Sequence, residues 1–485
     1  MIHLKTIYKI LGTLLYIEAF LMVLCLVMAF YFNEDDTLAF IVSILTTLCA
    51  AFLLKYFGRD SDDTLSRRDA YLLVTLTWVV FSIFGTLPFL IGGYLHSFTD
   101  AFFETMSGFT TTGASIIDDV ERMPHGVLFW RSLTQWIGGL GIVFFTIALL
   151  PSMVGGSVRV FAAEATGPLR AKLHPRLSTN AKWLWSIYIF LTLACIGGFF
   201  LSGMRWYDSV NYAMTTTATG GFAVHNDGLA HFQIPAVEYV CTLFCFLSGI
   251  NFTLLYVATM KLRPKMLFRN AEFKFYALVT LGCTLFVMIL LMAQGSYSLE
   301  RAFRSSVFEV VSFITSTGLF NEDVGQWPRA AVIVLACCMV VGASSGSTSS
   351  GIKSIRAVML LKIVQNEFRQ ILHPNAVLPL RLDGQNISQQ KRVTLLAFLT
   401  TFLLICLFMF SILMAYGLGT VNSAKITVSC ICNVGPSLDT GVGPATTWSA
   451  LPVLVKWLCS LVMLIGRLEI FSVLIIFTRA FWKEN

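Results

Sequence analysis

Charge is what this sequence has least of. Of 485 residues, 34 are Lys or Arg and 27 are Asp or Glu, 13% in all, about half the share of an ordinary soluble domain. So little charge cannot cover a water-facing surface, which excludes a soluble enzyme, a disordered chain, a collagen and a coiled coil. Metal signatures are also missing. The 12 Cys include no C-x-x-C pair and have no His at zinc spacing. Cys337-Cys338 and Cys430-Ile431-Cys432 therefore read as small apolar packing residues. No paired carboxylates, His cluster or activated Ser constellation converges on one side, so a membrane enzyme is not expected. The first apolar segment lacks a small-residue cleavage site and continues into a full span, so no cleavable signal peptide is expected.

What is there is apolar. Hydrophobic residues make up 56% of the chain, and 41 Phe and 10 Trp suit lipid contact and interfacial belts. A span needs about 20 apolar residues. Charge-free stretches cover 37–54, 70–99, 132–158, 183–204, 239–260, 275–299 and 393–424. A further span covers about 9–32 around Glu18, and two broken ones cover 327–362 and 452–479, for ten crossings. Numbering the flanks alternately puts 25 of 34 basic residues and nine acids on the side of both termini, a net +16. The other side carries eight basic residues and sixteen acids, a net −8. The positive side is expected to be cytoplasmic, and the +7 of the whole chain reflects topology, not nucleic-acid binding. The acidic face suits a mouth that gathers cations.

Four segments on that face look alike: Thr99–Gly113, Tyr207–Gly220, Ser298–Gly318 and Thr420–Gly435. Each starts at a polar residue, runs as a short semi-apolar helix, ends at a small-residue turn, and lies between two spans. The final glycines are 107, 98 and 117 residues apart. Aligned on Gly113, Gly220, Gly318 and Gly435, the preceding residues are Thr112, Thr219, Thr317 and Val434. Before those stand Thr111, Ala218, Ser316 and Asn433. A cation leaving water needs its hydration oxygens replaced, and converging backbone carbonyls can do that. Glycine turns let consecutive carbonyls face one way, and the helix C-termini add partial negative charge. No side chain in the four turns is charged, which favours a monovalent ion.

The turns read Thr110-Thr111-Thr112-Gly113-Ala114-Ser115, Ala218-Thr219-Gly220-Gly221-Phe222, Ser316-Thr317-Gly318-Leu319-Phe320 and Asn433-Val434-Gly435-Pro436. They resemble the four degenerate filter strands of the Trk/Ktr/HKT potassium transporter superfamily. Arg131-Ser132-Leu133-Thr134-Gln135-Trp136-Ile137-Gly138-Gly139-Leu140-Gly141 resembles the helix after that family's first filter strand. The extra N-terminal pair and His373-Pro374-Asn375-Ala376 followed by Arg381-Leu382 point to the TrkH branch. The resemblance implies an all-α polytopic membrane protein with four M1-P-M2 repeats around one pore. Its units would be an N-terminal helix pair (1–66) and repeats over 67–160, 161–264, 265–370 and 371–485. It also implies channel-like uptake of K+, with no nucleotide bound by this chain. The expected setting is a homodimer in the bacterial inner membrane, working with a cytosolic TrkA-type nucleotide-binding ring. A glycine in all four strands goes with potassium permeation in that family.

Two irregular features are expected within the membrane. Gly342-Ala343-Ser344-Ser345-Gly346-Ser347-Thr348-Ser349-Ser350-Gly351 is a poor helix and reads as a pore-blocking loop, with close helix packing as the alternative. It is not a phosphate-binding loop, because Ile352 interrupts Gly-Lys-Ser and no parallel sheet is available. Gly138-Gly139-Leu140-Gly141, inside a span, is not a dinucleotide site. Arg467 lies 11 residues past Lys456 on an expected helix. A charge at that depth needs a wet cavity or a partner, so it should repel cations below the filter or tether the loop. Glu469 is badly placed to pair with it on a helix, and Glu18 is the other candidate. Glu18 and Glu469 are the acids expected inside the membrane, and neither is tied to the filter, which disfavours a proton- or sodium-coupled symporter. The seven basic residues of 353–392 suit lipid headgroups or an acidic face of the cytosolic ring.

Overall fold

Long apolar stretches without an interior helix breaker form helices, and most of the breaks fall where Gly, Pro, Ser or Asn cluster. The structure is a computed structural model that describes residues 2–61, 65–141, 177–295, 297–376, 378–435 and 447–483. Helices α1 (Leu4–Phe32) and α2 (Thr37–Phe57) form an antiparallel pair. They approach closely at Gly12, where an added Cβ would lie 2.7 Å from the Ala51 carbonyl. A capping box between Ser66 and Asp69 starts α3 (Arg67–Gly85), which a short α4 (Leu87–Ile91) extends. After these come α5 (Phe98–Phe109), α6 (His125–Leu140), α7 (Leu177–Leu201) and α8 (Trp206–Thr217). Next are α9 (Pro235–Ser248), α10 (Phe252–Thr259), α11 (Lys265–Arg269) and α12 (Ala271–Ala293). The chain continues through α13 (Leu299–Ile314), α14 (Arg329–Val341), α15 (Ser354–Leu372) and α16 (Gln389–Ala415). It ends with α17 (Thr420–Cys432), α18 (Val453–Arg467), α19 (Ile470–Leu474) and α20 (Arg479–Trp482).

Among the described residues, six helices are long and apolar enough to cross a membrane, and two bent pairs bring the number to eight. This is a multi-pass membrane protein. The pairs α9/α10 and α18/α19 bend by 105° and 117°. The first bend corrects the unbroken span expected over 239–260. Asn251 interrupts it by accepting the amides of Thr253 and Leu254 with its side chain, which starts a new helix in a new direction. The other two expected crossings are represented by α6, which leads into residues 142–176 outside the described set, and by the 13-residue α14. The boundary expected at 160/161 and Pro436 also lie outside the described residues, as do Arg159, Arg170, Lys172 and Arg176 of the positive flank.

The expected cytoplasmic segment 353–392 holds α15 and a small hairpin. Strands β1 (Arg381–Leu382) and β2 (Gln385–Asn386) pair antiparallel around left-handed Asp383 and Gly384. The Asp383 carboxylate accepts the Ala271 amide at 2.9 Å and Asn270 Nδ2 at 3.0 Å, fixing the hairpin to the start of α12. Two basic residues counted on that flank are not surface charges. Lys353 and Arg356 are buried, so the count overstates what faces the membrane surface.

Candidate functional site

The short helices α5, α8, α13 and α17 have 12, 12, 16 and 13 residues, and their C-termini are built alike. Each is followed by a left-handed residue, Thr111, Thr219, Ser316 or Asn433, with φ of 53°, 53°, 57° and 51°. Two residues later stands a left-handed glycine: Gly113, Gly221, Gly318 or Gly435. The amides between them, of Thr112, Gly220, Thr317 and Val434, donate to the carbonyl five residues back at 2.9, 2.9, 2.8 and 3.1 Å. This is the Schellman closure of a helix, but Thr, Ser or Asn stands where glycine is usual. A non-glycine residue there costs about 1–2 kcal/mol, most for β-branched Thr, and such strain gathers at functional sites.

This geometry moves the second segment by one residue. Its triplet equivalent to Thr111-Thr112-Gly113 is Thr219-Gly220-Gly221, not the Ala218-Thr219-Gly220 obtained by aligning the first glycine. Ala218 instead has right-handed backbone and continues the end of α8. The neighbours of the glycines agree with the shift. A Cβ on Gly113 would collide with the Gly220 carbonyl, one on Gly221 with that of Thr317, and one on Gly435 with that of Thr112. Each colliding carbonyl belongs to the middle residue of a triplet. Gly113, Gly221, Gly318 and Gly435 all line one open vestibule.

Buried polar groups hold the strands from behind. The Glu104 carboxylate accepts the Ile116 amide at 3.0 Å and Arg131 Nε at 2.9 Å, and the ion pair is buried on both sides. Arg131 also donates to the Ala223 carbonyl at 3.0 Å and lies 4.3 Å above the Phe222 ring, joining the first and second strands. Glu309 accepts the Asn321 amide at 3.1 Å. Both carboxylates stand nine residues before their glycine and hold the amide three after it. Gln135 donates to the Gly220 carbonyl at 2.8 Å and accepts the Phe222 amide at 3.0 Å. Asn433 donates to Thr112 Oγ1 at 2.9 Å and to the Met463 carbonyl at 2.8 Å.

Between α14 and α15 the backbone leaves the helix, with left-handed Gly342, Gly346 and Gly351. This segment packs directly beneath the triplets. Thr348 Oγ1 donates to the carbonyls of Thr217 at 3.2 Å and Ser248 at 3.3 Å, and the Ser350 amide donates to Ser316 Oγ at 2.8 Å. Ser344 donates its amide to the Gly249 carbonyl at 3.0 Å. Ser345 is held by Glu272, through its amide at 2.5 Å and its hydroxyl at 3.2 Å, and by Asn251 at its carbonyl.

Arg467 bridges this loop to α6. Its guanidinium donates to the Thr348 carbonyl at 2.8 Å and to the Gly138 and Gly139 carbonyls at 2.7 and 2.5 Å. It is the last residue of α18 rather than the middle of a helix, and the chain turns at Glu469, φ 57°. Glu469 pairs with Arg356 at 2.6 Å. Glu18, the other acid considered as a partner for Arg467, is buried beside Gly85.

Comparison with known proteins agrees with this architecture. The family model "TrkH: Cation transport protein" matches residues 37–484. The chain belongs to the TrkH family. It is 34% identical to the Trk system potassium uptake protein TrkH of Halomonas elongata over 99% of this chain and 100% of that one. It is 31% identical to the Trk system potassium uptake protein TrkG of Escherichia coli K12, covering 99% of each. The crystal structure of the potassium transporter TrkH from Vibrio parahaemolyticus superposes with a TM-score of 0.89 at 30% identity, covering 99% of both chains. TrkH-family proteins are transporters, not enzymes.

For this TrkH-family chain, sequence reasoning missed the braces. Glu104 and Glu309 count as outer-face charge in a flank tally, yet both are buried, as is Glu272 in α12. Buried acids therefore extend beyond Glu18, while Glu469 is half-buried at the turn between α18 and α19. The repeated nine-residue spacing from Glu to the strand glycine was the available signal.

Proposed function

We propose that this protein carries K+ across the bacterial inner membrane through a filter of four strands. The strands are Thr111-Thr112-Gly113, Thr219-Gly220-Gly221, Ser316-Thr317-Gly318 and Asn433-Val434-Gly435, and backbone carbonyls coordinate the ion. The observation that carries this reading is the interlock of left-handed glycines with neighbouring triplet carbonyls, which brings uncharged oxygens together from separate segments. Oxygen ligands without formal charge suit a weakly hydrated monovalent cation. The high-coverage relatives named for potassium uptake support the choice of ion.

In this reading α5, α8, α13 and α17 are the P helices of four M1-P-M2 repeats, and α1 and α2 are the added N-terminal pair. The loop 342–351 and Arg467 form the gate. A loop bonded to the helix ends and to Ser316 obstructs the path below the filter, and the guanidinium repels cations there. Both termini are cytoplasmic. A TrkA-type ring acts on the basic segment containing α15, which begins three residues after the loop, and the protein works as a homodimer. Single-channel recording of purified protein, with potassium and sodium on opposite sides, tests the reading. A current reversing near the potassium Nernst potential, whatever the pH gradient, is the expected result. A reversal that follows the proton gradient would establish a symporter instead.

A further inference from the structure

At the rim of the vestibule, Glu121, His225 and His231 form a cluster that permeation does not use. Glu121 lies in the turn Val120–Arg122 after the first strand, and the two histidines follow the second strand. One ligand atom from each lies within 4.8 Å of the others. His225 Nδ1 is 3.3 Å from Glu121 Oε1. His225 Nε2 is buried without a hydrogen bond, 3.5 Å from Asp208 Oδ1. The two imidazoles are stacked, with centroids 3.7 Å apart and planes 3° from parallel.

The segments that carry these residues are tied together. Asn226 accepts the Val120 amide at 2.9 Å and donates to Asp119 at 2.9 Å. The carboxylate and the imidazoles are thus held near one another before any ion arrives, which lowers the ordering cost of binding. The imidazoles beside Glu121 and Asp208 offer nitrogen and oxygen donors in a negative field. That donor set suits zinc and its borderline neighbours, not Mg2+ or Ca2+. Zn–N bonds of about 2.0–2.1 Å place ligand atoms about 3.4 Å apart in a tetrahedral site. Exposed His231 can close the remaining gap by side-chain rotation.

We infer that Glu121, His225 and His231 bind a zinc-class divalent cation at the mouth of the vestibule. His225 lines the vestibule with Gly113 and Gly221. A bound dication there raises the local potential and narrows the approach, so occupancy slows monovalent flux. The site itself stands on the cluster geometry, while its effect on flux rests on the pore reading above.

The test uses full-length protein purified with an affinity tag free of histidine. Titration calorimetry with ZnCl2 is expected to show one saturable site. His231→Ala and Glu121→Gln should each weaken it by about tenfold or more, with MgCl2 giving no comparable heat. Rb+ uptake into proteoliposomes should fall with added Zn2+ in the wild type, with a half-point matching the calorimetric one, and should need about tenfold or more Zn2+ to fall equally in His231→Ala. Absence of saturable binding, or unchanged affinity in His225→Ala/His231→Ala protein of normal elution profile, overturns the site. Normal binding without slowed uptake overturns the obstruction. Metal-free liposomes that take up no Rb+ at all would instead count against the pore reading.

Discussion

The carbonyl of Thr317 occupies the space into which a side chain on Gly221 would project. Gly221 is also left-handed, φ 80°. A residue with a Cβ there meets two penalties, about 1–2 kcal/mol of backbone strain and a collision with rigid backbone. At Gly220 the added Cβ meets the Gln135 side-chain amide, which can shift by giving up its bonds to the Gly220 carbonyl and the Phe222 amide, a smaller disturbance than moving backbone. Gly221→Ala should therefore reduce Rb+ uptake by about tenfold or more, a factor equal to some 1.4 kcal/mol, and Gly220→Ala should reduce it less. Equal losses in proteoliposomes, or the reverse order, would restore the alignment on Gly220.

Removing the Arg467 guanidinium cuts the bridge between the loop at Thr348 and the end of α6. Hydrogen bonds from a charged group contribute about 1.5–3 kcal/mol. Arg467→Ala is thus expected to raise Rb+ flux by roughly tenfold, and Arg467→Lys by less, since an ammonium retains the charge but not the planar fork. Flux at or below the wild-type level in protein that elutes normally would exclude the gate role.

Glu272 and Asn251 hold the same loop from the other side, at Ser345. Glu272→Ala and Asn251→Ala should each raise flux. Combining either with Arg467→Ala should give less than the product of the single effects, because the groups restrain one element. Strictly multiplicative effects would place them in separate elements.

Glu104 and Arg131 are a buried pair, so losing one partner leaves an unpaired buried charge, a loss of about 3–5 kcal/mol. Arg131 retains its bond to Ala223, which softens but does not remove the effect. Thermal unfolding followed by fluorescence-detected gel filtration should show Glu104→Leu to be much less stable than wild type. The double variant Glu104→Leu/Arg131→Met should recover part of the loss. A double variant no better than the single one would mean that packing, not charge, governs the position.

Much of the fold was legible because lipid imposes a simple rule. Backbone groups in hydrocarbon must bond within the segment, so apolar length reads directly as helix. The short helices were legible for a related reason: semi-apolar stretches of 12 to 16 residues, each closed by a small-residue turn, are too short to cross. The break at Asn251 was less visible, because Ser248, Gly249 and Asn251 carry no charge and leave a charge-free apolar stretch on either side; the Asn side chain acts through local geometry.

The sequence by itself determined a multi-pass helical protein, the places of the strand turns, the non-helical loop and the helix that carries Arg467 eleven residues past Lys456. These depend on composition and local propensity. Tertiary structure decided which of two adjacent glycines faces a neighbouring carbonyl, since Gly220 and Gly221 are chemically identical and only the helix end beside them sets the register. It also decided the partners of the charges. Arg467 found carbonyls, Glu469 found Arg356, and Glu104 moved from an outer-face tally into a buried brace. Pairing depends on distance in space between segments far apart in the chain, and the enclosure of the low-charge interior makes each pairing costly to leave incomplete.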